Sequence, residues 1–113
     1  MPESGSLKTI AMKSSPAFSI DGYVLDSLMV DLVGHDRRPS AYILYLALSR
    51  LGGASGEVGI SLQGLATATG LSKTAVQRSV AHLKRRGLVA VTQSGRTQAP
   101  RYKILQPWRR THE

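Results

Sequence analysis

The chain has 113 residues, 42% of them hydrophobic, and a formal net charge of +8 at pH 7. This length suits a single domain, and the apolar fraction favours a packed core over a disordered chain. The absence of cysteine excludes disulfide frameworks and thiolate metal sites. The longest wholly apolar run covers only residues 41–48, and the first 18 residues lack the apolar stretch of a secretory signal, so we expect a cytoplasmic protein with no membrane span.

The positive charge is concentrated in the second half of the chain. Residues 1–60 hold five basic and six acidic residues, whereas residues 61–113 hold ten basic residues and one acidic residue, Glu113. Such an asymmetry indicates a polyanionic partner for the second half, either a nucleic acid or an anionic membrane surface.

The first part of the chain is predicted to form an arm and two helices. Residues 1–18 show no sustained period and predict a mostly flexible arm. An amphipathic helix follows from Asp21, because its apolar residues recur at helical spacing: Leu25, Leu28, Met29 and Leu32. A second helix is expected to begin at Pro39 and Ser40, and its almost wholly apolar body makes it the central buried helix.

A pair of helices joined by a glycine turn is predicted next. Ile60 predicts a short strand or a bridge, and Ser61 is placed to cap the N-terminus of a short helix that Gly70 interrupts. Ser72 is placed to cap a longer helix that runs to about Arg86, directly before Gly87.

After Gly87 the apolar period changes to two, which predicts strands at 88–93 and 101–105 separated by a loop. The predicted fold is therefore mainly α with a small antiparallel β-wing, a winged helix-turn-helix preceded by an extra N-terminal helix. Its predicted organisation is a flexible arm at 1–18, a domain at 19–106 with the helix-turn-helix at about 61–86 and the wing at about 88–105, and a basic C-terminal tail at 107–113.

Several positions of this segment follow a known pattern: Leu65-Ala66, Gly70-Leu71-Ser72, Val76, Leu83 and Gly87-Leu88-Val89. In order and spacing they resemble the winged helix-turn-helix of bacterial transcriptional regulators of the MarR and GntR types, and the resemblance covers about residues 39–106. It implies a DNA-binding transcriptional regulator that inserts its second helix-turn-helix helix into a major groove.

The helix predicted at 73–86 offers candidate readers of DNA. If Val76, Val80 and Leu83 set the core direction, the opposite face carries Thr74, Arg78, Ala81 and Arg85, and it lacks any acid. Arginine can bind guanine and glutamine can bind adenine through paired hydrogen bonds. The base-edge candidates are Ser72, Lys73, Thr74, Gln77 and Arg78. The candidates for phosphate or wing contacts, at 94–100 and beside it, are Lys84, Arg85, Arg96, Thr97, Arg101 and Lys103.

The apolar stripe of the N-terminal helix must be buried, either on its own domain or against a second subunit. We favour a homodimer because a two-fold protein matches half-sites that lie ~34–36 Å apart on DNA. The contact candidates are Leu25, Leu28, Met29 and Leu32.

Other functions stay open at this point: a phage or plasmid replication or partition protein, a protein-interaction module, or an RNA-binding protein. An enzyme is not expected, since His35, His82 and His112 lie far apart and show no spacing typical of metal ligands or a triad. We interpret His82 as a rim residue and the His35-Asp36 pair as ordinary loop. The expected partner is double-stranded DNA in the nucleoid, with no cofactor and no metal, and the sequence indicates no particular small-molecule effector.

Overall fold

Helices and a small sheet alternate along the chain in the computed structural model, which describes residues 17–95 and 97–109. The helices are α1, built of the stretches Val24–Leu28 and Val30–His35, then α2 (Pro39–Gly52), α3 (Leu62–Thr69) and α4 (Lys73–Arg85). The strands are β1 (Glu57–Gly59), β2 (Val89–Thr92) and β3 (Arg101–Ile104). This is the mainly helical fold with an antiparallel wing that the sequence predicts, and that fold class is confirmed.

Helix α2 forms the centre of the core, as its apolar sequence predicts. Leu44, Tyr45 and Leu48 are fully buried, and the other helices pack around them. The tyrosine hydroxyl is not left without a partner, because Tyr45 donates to the carbonyl of Leu105 at 2.8 Å. This bond ties the centre of the helix to the chain that follows the wing.

Helix α1 departs from the predicted α-helical stripe. Its backbone bonds run from residue i+5 to residue i, for example from the Asp36 N–H to the Asp31 carbonyl at 2.7 Å. The wider turn changes which residues face the core: the buried set has a spacing of four, Val24, Leu28 and Leu32. Of the four residues in the predicted stripe, Leu28 and Leu32 are buried in the protomer, whereas Leu25 and Met29 are 50% and 37% exposed.

The helix-turn-helix begins and turns where the sequence predicts. The Ser61 hydroxyl accepts from the N–H of Gly64 at 2.9 Å, and the Ser72 hydroxyl accepts from the N–H of Ala75 at 3.0 Å. Between the two helices, Gly70 adopts a left-handed conformation with φ of 82°. The turn thus requires glycine, because a residue with a Cβ adopts this conformation at a cost.

The three strands form one antiparallel sheet in the order β1-β3-β2. Tyr102 of β3 lies at the centre, paired with Val58 on one side and Val91 on the other, and it is buried against the helices. The predicted strands of the wing are confirmed to within two residues. The strand expected at Ile60 lies just before that residue. It ends at Gly59, and the N–H of Ile60 donates to the Pro100 carbonyl.

The chain after the wing returns to the start of α1. The Trp108 ring stacks on Tyr23 with ring centroids 4.5 Å apart, and its indole N–H donates to Asp21 at 3.0 Å. Arg109 also donates to this carboxylate at 3.0 Å. Trp108 and Arg109, which belong to the basic tail expected at 107–113, thus contact the chain before α1, and Arg110 to Glu113 lie outside the described residues.

Candidate nucleic-acid interface

Helix α4 presents one buried face and one exposed face. Val76 and Leu83 are fully buried and Ser79 is 4% exposed, and Val80, which was expected to point at the core, is partly buried and packs against it. The opposite face carries the residues placed there from the sequence, Thr74, Arg78, Ala81 and Arg85, and these are exposed. Gln77 and Lys84, beside that face, are exposed as well.

The exposed face of α4 holds cations that no carboxylate neutralises. Residues 58–112 contain no Asp or Glu, so this helix supplies no acid of its own. Within residues 17–95 and 97–109, the side chains of Lys73, Arg78 and Lys84 make no hydrogen bond or ion pair. Exposed cations without a partner among the described residues are available to a polyanion without first breaking internal contacts.

The N-terminal end of α4 brings the base-edge candidates together. Ser72, Lys73 and Thr74 stand at the first turn of the helix, and Gln77 and Arg78 follow one turn later on the exposed side. The Ser72 oxygen accepts the capping bond from Ala75, which leaves its O–H proton available as a donor.

The C-terminal end of α4 is joined to the loop between α1 and α2. His82 Nε2 lies 2.8 Å from Asp36 Oδ2, and His82 Nδ1 lies 3.3 Å from the Arg85 guanidinium. Because a carboxylate accepts and a guanidinium donates, these partners assign the proton of the neutral ring to Nε2. Arg85 is thus oriented by His82 and remains exposed, without an acidic partner among the described residues.

Asp36 is the centre of this connection. Its side chain is 10% exposed and accepts from His82, from His35 at 3.1 Å and from Arg86 at 3.0 Å. Hydrogen bonds from His82 and His35 hold the pKa of Asp36 below its ordinary value, and the charge of Arg86 adds to this effect. The interpretations of His82 as a rim residue and of Asp36 as ordinary loop missed this contact, which joins residues 46 positions apart.

The wing carries the remaining candidates. Thr97 is exposed in the loop, which is closed by a bond from the Gln93 amide to the Gln98 carbonyl at 2.8 Å. On β3, Arg101 and Lys103 share the exposed face, opposite the buried Tyr102. Arg101 lies 3.5 Å from Glu57, so it is paired, and Lys103 makes no such contact within the described residues. Arg96 lies outside the described residues.

Helices α2, α3 and α4, the turn at Gly70 and the antiparallel wing together define a winged helix-turn-helix, in which α4 is the exposed basic helix. This fold class places a helix in a DNA groove. A family model described as "MarR family" matches residues 41–98. The chain therefore belongs to the MarR family, and it is a DNA-binding transcriptional regulator. Of the two resemblances expected from the sequence, the MarR type is confirmed, and the family indicates a regulator without enzymatic activity.

Among solved structures, the crystal structure of the AntR antimony-specific transcriptional repressor matches with a TM-score of 0.48 and 24% identity, over 93% of this chain and 84% of that one. No curated protein matches the sequence. Among the described residues, no helix has the length and apolar character that crossing a membrane requires.

Proposed function

We propose that α4 enters the major groove of double-stranded DNA, with its N-terminal half on base edges and its C-terminal half and the wing on the backbone or the minor groove. The observation that carries this proposal is the exposed, acid-free surface of α4, where Lys73, Arg78 and Lys84 make no hydrogen bond or ion pair within the described residues. The proposed base-edge residues are Ser72, Lys73, Thr74, Gln77 and Arg78. The proposed phosphate and wing residues are Lys84, Arg85, Arg96, Thr97, Arg101 and Lys103.

Arg101 differs from the other proposed phosphate and wing residues because its side chain is already paired with Glu57. Both side chains are about half exposed, and an exposed pair of this kind contributes roughly 0–1 kcal/mol. A DNA phosphate can therefore replace Glu57 at small cost. We also propose that the protein acts in the cytoplasm on DNA of the nucleoid.

We further propose that the protein works as a homodimer through α1. Leu28 and Leu32, two of the expected contact residues, are buried in the core of the protomer and are not accessible to a second subunit. The neighbouring residues at the same spacing of four form an exposed apolar stripe: Leu25, Met29 and Val33, which are 50%, 37% and 38% exposed. The buried residues of α1, which are four positions apart, lie on one face of the helix. The exposed residues are also four positions apart, so they lie together on the adjacent face. This apolar stripe supports pairing with a second copy of the chain.

The proposal that α4 enters the major groove is tested by the sequence specificity of DNA binding. We expect Arg78→Ala to lower affinity for a selected duplex by about 1–3 kcal/mol and to leave affinity for random duplex almost unchanged. Fluorescence anisotropy on both duplexes measures this, with Arg109→Ala as the control because Arg109 is paired with Asp21 on another side of the molecule. Equal losses on the two duplexes would remove Arg78 as a base reader.

The dimer proposal is tested by mass in solution. Light scattering is expected to give twice the chain mass of 12.2 kDa for the parent and a single chain mass for Leu25→Glu combined with Met29→Glu. Leu51→Glu, which changes an apolar residue of similar exposure (42%) at the end of α2, is the matched control and is expected to remain dimeric. A monomeric parent, or a double variant of unchanged mass, would contradict the proposal.

A further inference from the structure

The N-terminus of α2 differs from those of α3 and α4, because no side chain caps it. Its N-cap residue is Arg38, whose side chain makes no capping bond and has no atom that can accept one. Pro39 supplies no N–H, and the N–H of Ser40 has no acceptor within the described residues. In the first turn of this 14-residue helix, the Ala41 N–H bonds to the Arg38 carbonyl at 3.0 Å, whereas the Ser40 N–H at the positive end of the helix is left open to an acceptor from outside the described residues.

A depression of about 180 Å³ opens beside this helix end, between α2 and α4; we call it the Arg38 depression. Its polar and charged lining consists of Arg37, Arg38, Ser40, Arg78 and Ser79, and none of its residues is acidic. Within residues 17–95 and 97–109, the three arginine side chains make no hydrogen bond or ion pair. The volume is far above the ~10–15 Å³ that admits one water molecule, so a tetrahedral oxyanion fits.

Ser79 supplies an independent indication of a ligand. The residue is 4% exposed, it lines the Arg38 depression, and its hydroxyl has no hydrogen-bond partner in the part of the chain that the structure describes. A buried hydroxyl without a partner destabilises the fold, and buried polar groups are as a rule hydrogen-bonded. A ligand oxygen in the depression would be its acceptor.

The backbone that presents the two loop arginines is strained. Arg37 has φ of 58°, whereas the other described residues with positive φ are glycines. A left-handed conformation is unfavourable for a residue with a Cβ, and such strain is concentrated at functional sites. The conformation places Arg37 and Arg38 together on the wall of the depression.

We propose that the Arg38 depression binds a phosphodiester group of the DNA backbone, with the Arg38 guanidinium, the Ser40 N–H and the Ser79 hydroxyl as donors. The bound phosphate oxygen would then take the place of the missing cap of α2. A second depression, lined by Arg38, Arg78, Ala81 and Arg85, continues from this site along the exposed side of α4. That continuity favours DNA over a free anion, and the inference rests on the DNA binding proposed above.

The experiment measures affinity for duplex DNA as a function of salt concentration. The variants are made at Arg38 and Arg50, which are not among the proposed base-edge residues. For a random-sequence duplex between about 50 and 200 mM salt, Arg38→Ala is expected to reduce the slope of log K against log salt by about 0.9. Arg50→Ala removes the same charge from the other end of α2 and is expected to keep the parental slope. Arg38→Lys is expected to keep the slope and lose affinity, since an ammonium cannot form a paired guanidinium contact.

Ser79→Ala separates binding from folding. We expect about a tenfold loss of affinity for duplex, as for one hydrogen bond to a charged group, together with an unchanged or higher melting temperature because an unpartnered buried hydroxyl is removed. Full affinity in Ser79→Ala, or the same slope in Arg38→Ala as in Arg50→Ala, would overturn the site while leaving DNA binding intact. A parent that binds no duplex would overturn both proposals.

Inorganic phosphate, added at constant ionic strength, distinguishes the two sources of the oxyanion. Unchanged affinity of the parent for duplex supports a site built for the DNA backbone. Loss of duplex affinity in the parent, but not in Ser79→Ala, would assign the depression to free phosphate and overturn the assignment to DNA.

Discussion

The basic residues exposed on α4 and the one directly after its C-terminus are used in opposite ways. Along its exposed face, Lys73, Arg78 and Lys84 have no partner within the described residues, whereas Arg86, directly after the helix, lies 3.0 Å from Asp36 and 3.7 Å from Asp31. Arg109 is likewise paired with Asp21. Net charge alone therefore does not locate the proposed interface. The acids in and beside α1 pair with Arg86 and Arg109, whereas the cations on the exposed surface of α4 remain available to DNA.

The largest expected effect comes from removing the carboxylate at the centre of the paired side. Asp36→Ala is expected to lower the free energy of unfolding by about 1–3 kcal/mol, because His82 and Arg86 lose their shared acceptor. Urea denaturation measures this. Asp26→Ala changes an exposed aspartate of α1 that makes no contact within the described residues, and as the control it is expected to stay within ~0.5 kcal/mol of the parent. Equal stability of the two variants would contradict the role of Asp36.

A smaller effect is expected in acid. Hydrogen bonds hold the pKa of Asp36 and that of Asp21 below their ordinary values, with Trp108 as the main donor to Asp21. A carboxylate whose pKa is lowered by folding stabilises the protein above its unfolded pKa of ~3.9, and this contribution is lost as pH falls through the folded value. Stability is therefore expected to decline below about pH 4, and less steeply in Asp36→Asn. Parallel profiles from urea denaturation at each pH would contradict this.

The smallest effect distinguishes two basic residues that lie two positions apart in sequence. Lys84→Ala is expected to lower the salt dependence of DNA binding by about 0.9 without a change in stability, because its side chain is exposed and unpaired. Arg86→Ala is expected to do the reverse, with the salt slope kept and stability reduced by ~0.5–1 kcal/mol. If both variants changed the slope equally, the division between free and paired cations would be wrong.

Local signals were enough to predict the helix-turn-helix and the wing. Ser61, Ser72 and Gly70 act on the backbone within three residues of their own position, so their roles can be read from the chain alone. The alternation around Tyr102 likewise predicts which face of β3 is buried.

Other features depend on contacts between distant residues and could not be predicted in this way. The bond from His82 to Asp36 joins two elements that meet only after folding. The i+5 bonds of α1 replace the ordinary helical spacing, which is why Leu25 and Met29 are exposed. The Arg38 depression is visible only when the start of α2 is placed against α4, although an arginine at an N-cap position is a signal in the sequence.

We propose above all that the exposed basic surface of α4 binds duplex DNA, with Lys84 and Arg85 on its phosphates. The most direct test is the affinity of the parent protein for a duplex, measured by fluorescence anisotropy between about 50 and 200 mM salt. We expect log K to fall linearly with the logarithm of the salt concentration, with a slope near −0.9 for each phosphate contacted. No binding at low salt, or an affinity that does not depend on salt, would contradict it.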